Sequence, residues 1–141
     1  MVVTATPIFP QTIVNTPVTI VNADSTNKKT VYTGGTNGSK VENILVTNTD
    51  TAAYTLQFFF TISATDYLVA SVNIPASAGN LSTVNSINPL ATTTNWGPAL
   101  NLDSNGNPYL YIANGTTLKA AVTGAVTAAK TMTILAQGGD F

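Results

Sequence analysis

The sequence predicts an all-β domain, an antiparallel β-sandwich with an extended N-terminal arm. Three observations lead to this prediction. Apolar and polar side chains alternate along several short segments, clusters of turn-forming residues separate those segments, and no segment sustains a helical period. The 141 residues suffice for one domain. A chain of this length buries roughly 70% of its unfolded surface, so it needs no disulfide or metal to hold a core.

The clearest strand covers residues 54–62, where the even positions are apolar and Phe59 alone breaks the alternation. Successive side chains of a strand point to opposite faces, so this pattern is typical of a half-buried antiparallel strand. A second strand follows, and the residues between the two, Ser63 to Asp66, predict a hairpin turn. The predicted inward residues of the second strand are Leu68, Ala70, Val72 and Ile74.

Shorter alternating segments bring the expected number of strands to about eight, which is typical of a sandwich. Turn clusters at residues 34–38, 48–51 and 103–108 separate them. We expect one short helical turn, from Ser86 to Leu90. The further strands are predicted at Val18 and Ile20, at Lys29 to Tyr32, at Val41 to Asn48, at Leu110 and Ile112, at Leu118, Ala120 and Val122, and at Met132, Ile134 and Ala136.

The first 17 residues contain three prolines, and each proline removes a backbone donor that a sheet would use. We therefore interpret residues 1–17 as an extended arm, either disordered or laid on a neighbouring molecule, and residues 18–141 as the sandwich domain. A proline-bearing arm is already extended, so less entropy is lost when it docks. The candidate partner-binding residues of the arm are Pro7, Ile8, Phe9, Pro10, Ile13 and Val14.

Charged residues make up 8% of the chain, against about 25% in an average soluble domain. The formal net charge is −1. A weakly charged β surface favours association, because exposed strand edges and a low net charge both promote contact between molecules. We therefore expect the chain to work within an assembly. The alternative is that its many threonines and asparagines keep a monomer soluble.

The chain lacks several residue types that most catalytic and metal-binding sites require. The chain has no histidine, cysteine or arginine, which excludes a Ser-His-Asp triad, a cysteine nucleophile, an ordinary zinc site and a bidentate anion clamp. Residues 34–38 lack the ending of a phosphate-binding loop. A glycosidase needs only two carboxylates, but the available acids lie in turns or at strand starts, where they are usually solvated. We expect no enzymatic activity and no cofactor.

Three other partner classes are also disfavoured. Residues 103–107 place oxygen-bearing side chains at alternate positions, as calcium loops do, but the glycine falls too early, so we expect a hairpin turn there. The chain has no basic stripe for nucleic acid. No apolar run approaches the ~20 residues of a membrane-spanning helix, and the N-terminus has no signal-peptide pattern. The expected partners are therefore proteins.

The aromatic residues support one further hypothesis. Trp96, Tyr109 and Tyr111 are candidates for an exposed patch on which a sugar stacks. The alternative is that Trp96 pins the long connection of residues 86–102 over the core, since large aromatic side chains usually serve packing.

Three stretches of the chain resemble a known class of protein. They are residues 44–53 with the strand that follows, residues 66–79, and residues 103–118 together with residues 130–141. Their order resembles that of small virion structural proteins of tailed bacteriophages, in particular head decoration or cement proteins. The resemblance covers roughly residues 18–141.

The resemblance implies a β-sandwich or jelly roll that forms homotrimers on the capsid exterior. Such proteins clamp adjacent subunits of the major capsid protein against the pressure of the packaged DNA. The family has no active-site residues to carry over. Two alternatives remain open: a tail, collar or fibre component of the same kind of virion, and a carbohydrate-binding module.

Overall fold

A computed structural model describes residues 9–141, which form nine strands and two short 3₁₀ turns, at Asn22–Asp24 and Gly97–Ala99. None of the helical segments in this range has the length and apolarity needed to cross a membrane. The strands are β1 Thr12–Val21, β2 Lys29–Thr33, β3 Ser39–Asn48, β4 Tyr54–Ile62, β5 Thr65–Ile74, β6 Asn101–Leu102, β7 Pro108–Ile112, β8 Thr116–Val122 and β9 Thr131–Asp140.

The strands form two antiparallel sheets. The first has the order β1-β9-β3-β7-β6, and the second has the order β2-β8-β4-β5. The prediction of an all-β antiparallel sandwich is therefore confirmed. Apart from the β4–β5 and β6–β7 pairs, consecutive strands lie in different sheets, so most pairing is between strands far apart in sequence.

The core lies between the inner faces of the two sheets. In β4, Leu56 and Phe58 are fully buried, as the alternation predicts. Each fully buried large apolar side chain contributes roughly 1.5–3 kcal/mol through removal from water. The largest fully buried side chains are those of Tyr32, Phe58, Ile20, Ile44, Leu56, Ile74, Leu90, Ile112, Leu118, Met132, Ile134 and Val31.

The β4–β5 hairpin corrects one prediction. The two turn residues between the strands, Ser63 and Ala64, both have positive φ, as a tight two-residue hairpin requires. The pairing then slips by one residue between Phe58 and Phe59, and this bulge turns Leu68 away from the core. Leu68 is 55% exposed, so its predicted inward orientation is wrong.

The start of β1 also differs from the sequence-based boundary. The first sheet already pairs at Thr12, opposite Asp140, whereas the boundary was placed after Pro17. Pro17 lies opposite Leu135 within this ladder. A proline is tolerated there because β1 is the outermost strand of its sheet among residues 9–141, so its missing N–H faces no neighbouring strand.

The long connection between β5 and β6 contains no helical turn at residues 86–90. Instead, Ile87 forms a β-bridge with Val46. The predicted helical turn is therefore wrong. β7 pairs with β3 only from Ser39 to Val41, and Ile87 satisfies backbone groups of β3 further along the strand.

The two ends of the sandwich differ in their loops. One end, called the short-turn end below, carries the turns at residues 34–38, 63–64 and 113–115, together with the start of β1 and the end of β9. The register places Asp140 opposite both Thr12 and Ser39 there. The opposite end carries the longer connections, at residues 22–28, 49–53, 75–100 and 123–130.

Candidate protein-binding surface

A row of residues crosses the outer face of the first sheet at the short-turn end. The register aligns Ile13 with Gly139, Gly139 with Lys40, and Lys40 with Tyr111. Ile13 is 87% exposed and Tyr111 is 54% exposed. Their exposure follows from strand alternation, because the neighbouring Val14 packs on the core side and Ile112 is buried.

The segment that leads into β1 lies beside this row. Phe9 is 71% exposed, and the backbone N–H of Gln11 donates a hydrogen bond to the Asp140 carbonyl. Pro10 rests on Gly139, where a Cβ atom would lie 2.6 Å from the proline Cβ. The absence of a side chain at Gly139 therefore allows the segment to lie directly on β9.

Aromatic rings complete this surface on the β7 side. The ring centroids of Tyr109 and Tyr111 are 5.0 Å apart, and that of Phe141 lies 6.1 Å from Tyr111. The Phe141 backbone N–H donates a hydrogen bond to the Gly38 carbonyl, which fixes it at this end. We call this set of side chains the arm surface: Phe9, Pro10, Ile13, Tyr109, Tyr111 and Phe141.

The charges on the arm surface compensate one another. The Lys40 ammonium lies 2.8 Å from the Glu42 carboxylate and 4.7 Å from the centre of the Tyr109 ring. The hydrogen bond to Glu42 raises the pKa of Lys40. A hydrogen bond with Tyr111 raises the pKa of Tyr109 above its ordinary value. The surface is thus mainly apolar, with one internally neutralised ion pair.

The structure brings together two groups of residues that the sequence proposed separately. Pro10 and Ile13 of the arm lie on the same face as Tyr109 and Tyr111, and the exposed Phe9 immediately precedes Pro10. Val14 points the other way and packs against the core. Pro7 and Ile8 lie outside the described residues.

Trp96 does not join the two tyrosines. Its side chain is 5% exposed and packs against Phe58, with ring centroids 5.0 Å apart. The Thr94 hydroxyl accepts hydrogen bonds from the backbone N–H groups of Trp96 and Gly97, and the backbone of Gly97 passes too close to the Ala91 carbonyl for any side chain. The predicted exposed patch of three aromatics is therefore corrected to the exposed Tyr111 beside a half-buried Tyr109.

A second exposed apolar cluster lies at the tip of the β4–β5 hairpin, also at the short-turn end. Sequence reasoning missed it, because the alternation placed Ile62 and Leu68 inside. The bulge between Phe58 and Phe59 turns Leu68 outward, and a single sequence gives no reliable sign of a bulge. Ile62 is exposed because it is the last residue of β4, at the tip of the hairpin. We call this cluster the hairpin surface: Ile62, Tyr67, Leu68 and Val69.

The outer face of the second sheet carries paired charges. The Asp66 carboxylate lies 2.9 Å from the Lys28 ammonium and 3.3 Å from the Lys119 ammonium. A hydrogen bond from the Thr61 hydroxyl, followed by the one from Lys28, lowers the pKa of Asp66. Away from this face, at the edge next to β1, Lys29 pairs with Asp24 at 3.0 Å and donates to the Thr19 carbonyl. Little uncompensated charge is therefore left on this face.

The Asp103 loop folds back on its own carboxylate. Oδ1 of Asp103 accepts hydrogen bonds of 2.8 Å from the backbone N–H groups of Asn105 and Asn107, and Oδ2 accepts one of 3.1 Å from the Asn107 side chain. These bonds lower the pKa of Asp103 and direct N–H donors at the oxygens that a cation would need. Residues 9–141 hold no group of three metal-ligating side chains arranged around a common point.

Buried Asp50 ties two loops together at the opposite end of the sandwich. Its Oδ2 accepts hydrogen bonds from the Tyr54 hydroxyl at 2.6 Å and from the Thr127 backbone N–H at 2.9 Å. The bond from Tyr54, then the one from Thr127, lowers the pKa of Asp50. The contacts of this carboxylate join the loop at residues 49–53 to the connection at residues 123–130.

Comparison with known proteins gives no match: no family model, no curated protein and no solved structure is similar to this chain. The function of the chain is therefore inferred from the geometry of the arm surface and the hairpin surface.

Proposed function

We propose that this chain is a virion structural protein that binds the outer surface of a tailed-phage capsid as a trimer and stabilises the shell. The arm surface carries this proposal. It combines the two most exposed large apolar side chains of residues 9–141, those of Ile13 and Phe9, with a neutralised ion pair. Exposed apolar patches of this kind are typical of protein–protein interfaces.

The strand order supports the proposal. Leaving aside the two-residue β6, four strands in the order β1-β9-β3-β7 face four in the order β2-β8-β4-β5. We infer that these eight strands form a jelly roll, an architecture that recurs in viral capsid and lectin domains. The resemblance of residues 18–141 to phage decoration proteins points in the same direction.

The free energy expected from docking the arm surface fits a contact that is weak in one copy and is repeated in several. Burying the exposed parts of Phe9 and Ile13 in a partner contributes roughly 1.5–3 kcal/mol for each side chain, and ordering the docked groups offsets part of it. Because Lys40 is already paired with Glu42, docking does not bury an unpaired charge. A trimer presents three such surfaces, so the combined affinity exceeds that of one chain.

We assign the hairpin surface to contacts between copies within the trimer. The Asn95 side chain donates a hydrogen bond to the Ser71 carbonyl, so the long connection lies against β5 near Ser71, in the half of the strand far from the hairpin turn. The half of β5 next to the hairpin turn contains the exposed residues Tyr67, Leu68 and Val69. Among residues 9–141 it is the outermost strand segment of its sheet. An edge of this kind needs a cover to prevent uncontrolled pairing.

The trimer is tested by the mass of the purified protein in light scattering. We expect the mass of three chains for the natural sequence and of one chain for Leu68→Lys. Thr30→Lys is the matched control, because Thr30 is exposed on β2, at the other edge of the same sheet. A single-chain mass for the natural protein, or an unaltered mass for Leu68→Lys, contradicts this assignment.

The capsid contact is tested by co-sedimentation with undecorated capsids. Ile13→Glu places a charge at the most exposed apolar side chain of the arm surface, so we expect it to abolish binding. Thr19→Glu is the control, because Thr19 is exposed on the same face of β1 but far from the short-turn end. Failure of the natural protein to bind, or equal loss of binding in both variants, contradicts the proposal.

The two alternative functions predict different outcomes. A tail, collar or fibre component would be labelled at the tail by immunogold rather than over the head. A carbohydrate-binding module would give a signal on a glycan array. The ammonium group of Lys40 lies over the ring of Tyr109, where a sugar would otherwise stack, so the geometry favours the protein-binding function.

A further inference from the structure

Three Asn-Gly steps lie in turns of the chain: Asn37-Gly38, Asn105-Gly106 and Asn114-Gly115. All three asparagines are exposed. An asparagine followed by glycine is chemically vulnerable, because the unhindered backbone nitrogen of the glycine can attack the asparagine side-chain amide. The sequence alone therefore makes the three steps nearly equivalent.

The three turns place these Asn-Gly steps in different hydrogen-bonding environments. At two of the steps the glycine N–H closes the turn, donating to the Gly35 carbonyl from Gly38 at 2.9 Å and to the Asp103 carbonyl from Gly106 at 3.0 Å. The Asn37 side chain is also held, since its Nδ2 donates to the Phe141 carbonyl at 3.2 Å. In these turns the attacking nitrogen is fixed by a hydrogen bond.

The third step occupies a different position in its turn. The bond that closes this turn runs from the Thr116 N–H to the Ala113 carbonyl, so Asn114 and Gly115 are its two central residues. Within residues 9–141, neither the Gly115 N–H nor the Asn114 side chain makes a hydrogen bond. No other residue approaches within 4 Å of the position where a Cβ atom of Gly115 would lie, which leaves space for a ring to form; the same holds at Gly106, so it is the free Gly115 N–H that distinguishes the third step.

We propose that Asn114 is a site of spontaneous deamidation and that it reacts faster than Asn105 and Asn37. The Gly115 nitrogen attacks Cγ of Asn114, a new N–Cγ bond forms, and the Cγ–Nδ2 bond breaks. Ammonia leaves with the proton of the glycine amide, and a succinimide ring remains. Water then opens the ring at either carbonyl to give aspartate or isoaspartate.

The modification adds one negative charge and changes the net charge from −1 to −2. It does so in the β7–β8 turn, at the same end of the sandwich as the arm surface. The reaction does not depend on the proposed capsid function, so it can be tested on the isolated protein.

The test is an incubation of the folded protein at mildly alkaline pH, with peptide mapping by mass spectrometry at intervals. We expect the Asn114 peptide to gain the mass of deamidation and to yield isoaspartate several-fold faster than the Asn105 and Asn37 peptides. In denaturant, where the turns are lost, the three rates should converge. Asn114→Gln should remove the fast acidic species from ion exchange.

Two results would overturn the proposal. One is a folded protein in which Asn37 or Asn105 reacts as fast as Asn114. The other is a folded protein that stays unmodified at Asn114 while the denatured chain reacts at all three steps.

Discussion

The hydroxyl of Tyr32 donates a 3.0 Å hydrogen bond to the carboxylate of Asp140, joining the second sheet to the first across 108 positions of sequence. The Ser39 hydroxyl donates to the same oxygen at 2.5 Å and accepts a bond from the Gly35 N–H. This network anchors β2, β3 and β9 at the short-turn end. It therefore holds in place the strand ends next to the arm surface.

Removing the Tyr32 hydroxyl should make the folded protein less stable. We expect Tyr32→Phe to lower the free energy of unfolding by about 1–2 kcal/mol, because the half-buried carboxylate of Asp140 loses a hydrogen bond. The measurement is denaturant unfolding, with Tyr111→Phe as the control at an exposed tyrosine. Equal stabilities of the two variants would show that the sheet-to-sheet bond contributes nothing.

The same tyrosine predicts an alkaline transition. Burial, followed by the hydrogen bond to Asp140, raises the pKa of Tyr32 to about 12 from its ordinary value of 10.0. The unfolded chain therefore releases this proton first, and the stabilising effect is complete below pH 10 and lost between pH 10 and about 12. We expect the natural protein to lose more stability over this interval than Tyr32→Phe does. Parallel pH profiles would contradict the prediction.

The lowered pKa of Asp50 predicts a loss of stability at acidic pH. Its pKa is lowered in the folded state, so its contribution to stability is present above the ordinary value of 3.8 and is lost as the pH falls further. Asp50→Asn should unfold more readily at neutral pH and show a shallower loss of stability upon acidification. The measurement is the thermal midpoint as a function of pH. A variant with the slope of the natural protein would count against this role.

Trp96 is expected to act through packing. Trp96→Ala should cost about 3–5 kcal/mol, because it empties a buried site against Phe58. Tyr111→Ala should change stability by no more than about 0.5 kcal/mol, because the ring is on the surface. Chemical denaturation measures both. A Trp96→Ala protein of natural stability would restore the hypothesis of an exposed tryptophan.

The alternation of residues 54–62 was sufficient to predict β4 and the burial of Leu56 and Phe58. The alternation in the following strand gave the wrong orientation for Leu68, because a bulge depends on how two strands fit together and not on the pattern of either one. The strand order was also out of reach, since β1 pairs with β9 and the contacts responsible are more than a hundred residues apart. The arm surface could not be predicted as one site for the same reason. Its residues come from the segment before β1, from β1 and β7, and from Phe141 after β9, and only the folded sheet brings them together.

The register of β1 predicts where a truncation becomes harmful. A chain that begins at Gln11 keeps all of β1, so we expect its stability to be unchanged and its capsid binding to be weakened. A chain that begins at Val18 loses the partners of Leu135 to Asp140 and should be much less stable. Circular dichroism melting and co-sedimentation separate the two effects. Full binding by the Gln11 chain would remove the segment before β1 from the interface.

The most direct test of the account is the retention of DNA by heated capsids that lack their outer decoration. We predict that the natural protein, added in excess, binds these capsids and raises the temperature at which DNA is released, and that Ile13→Glu has no effect. Release at the same temperature with and without the natural protein would contradict the proposal that this chain stabilises a capsid.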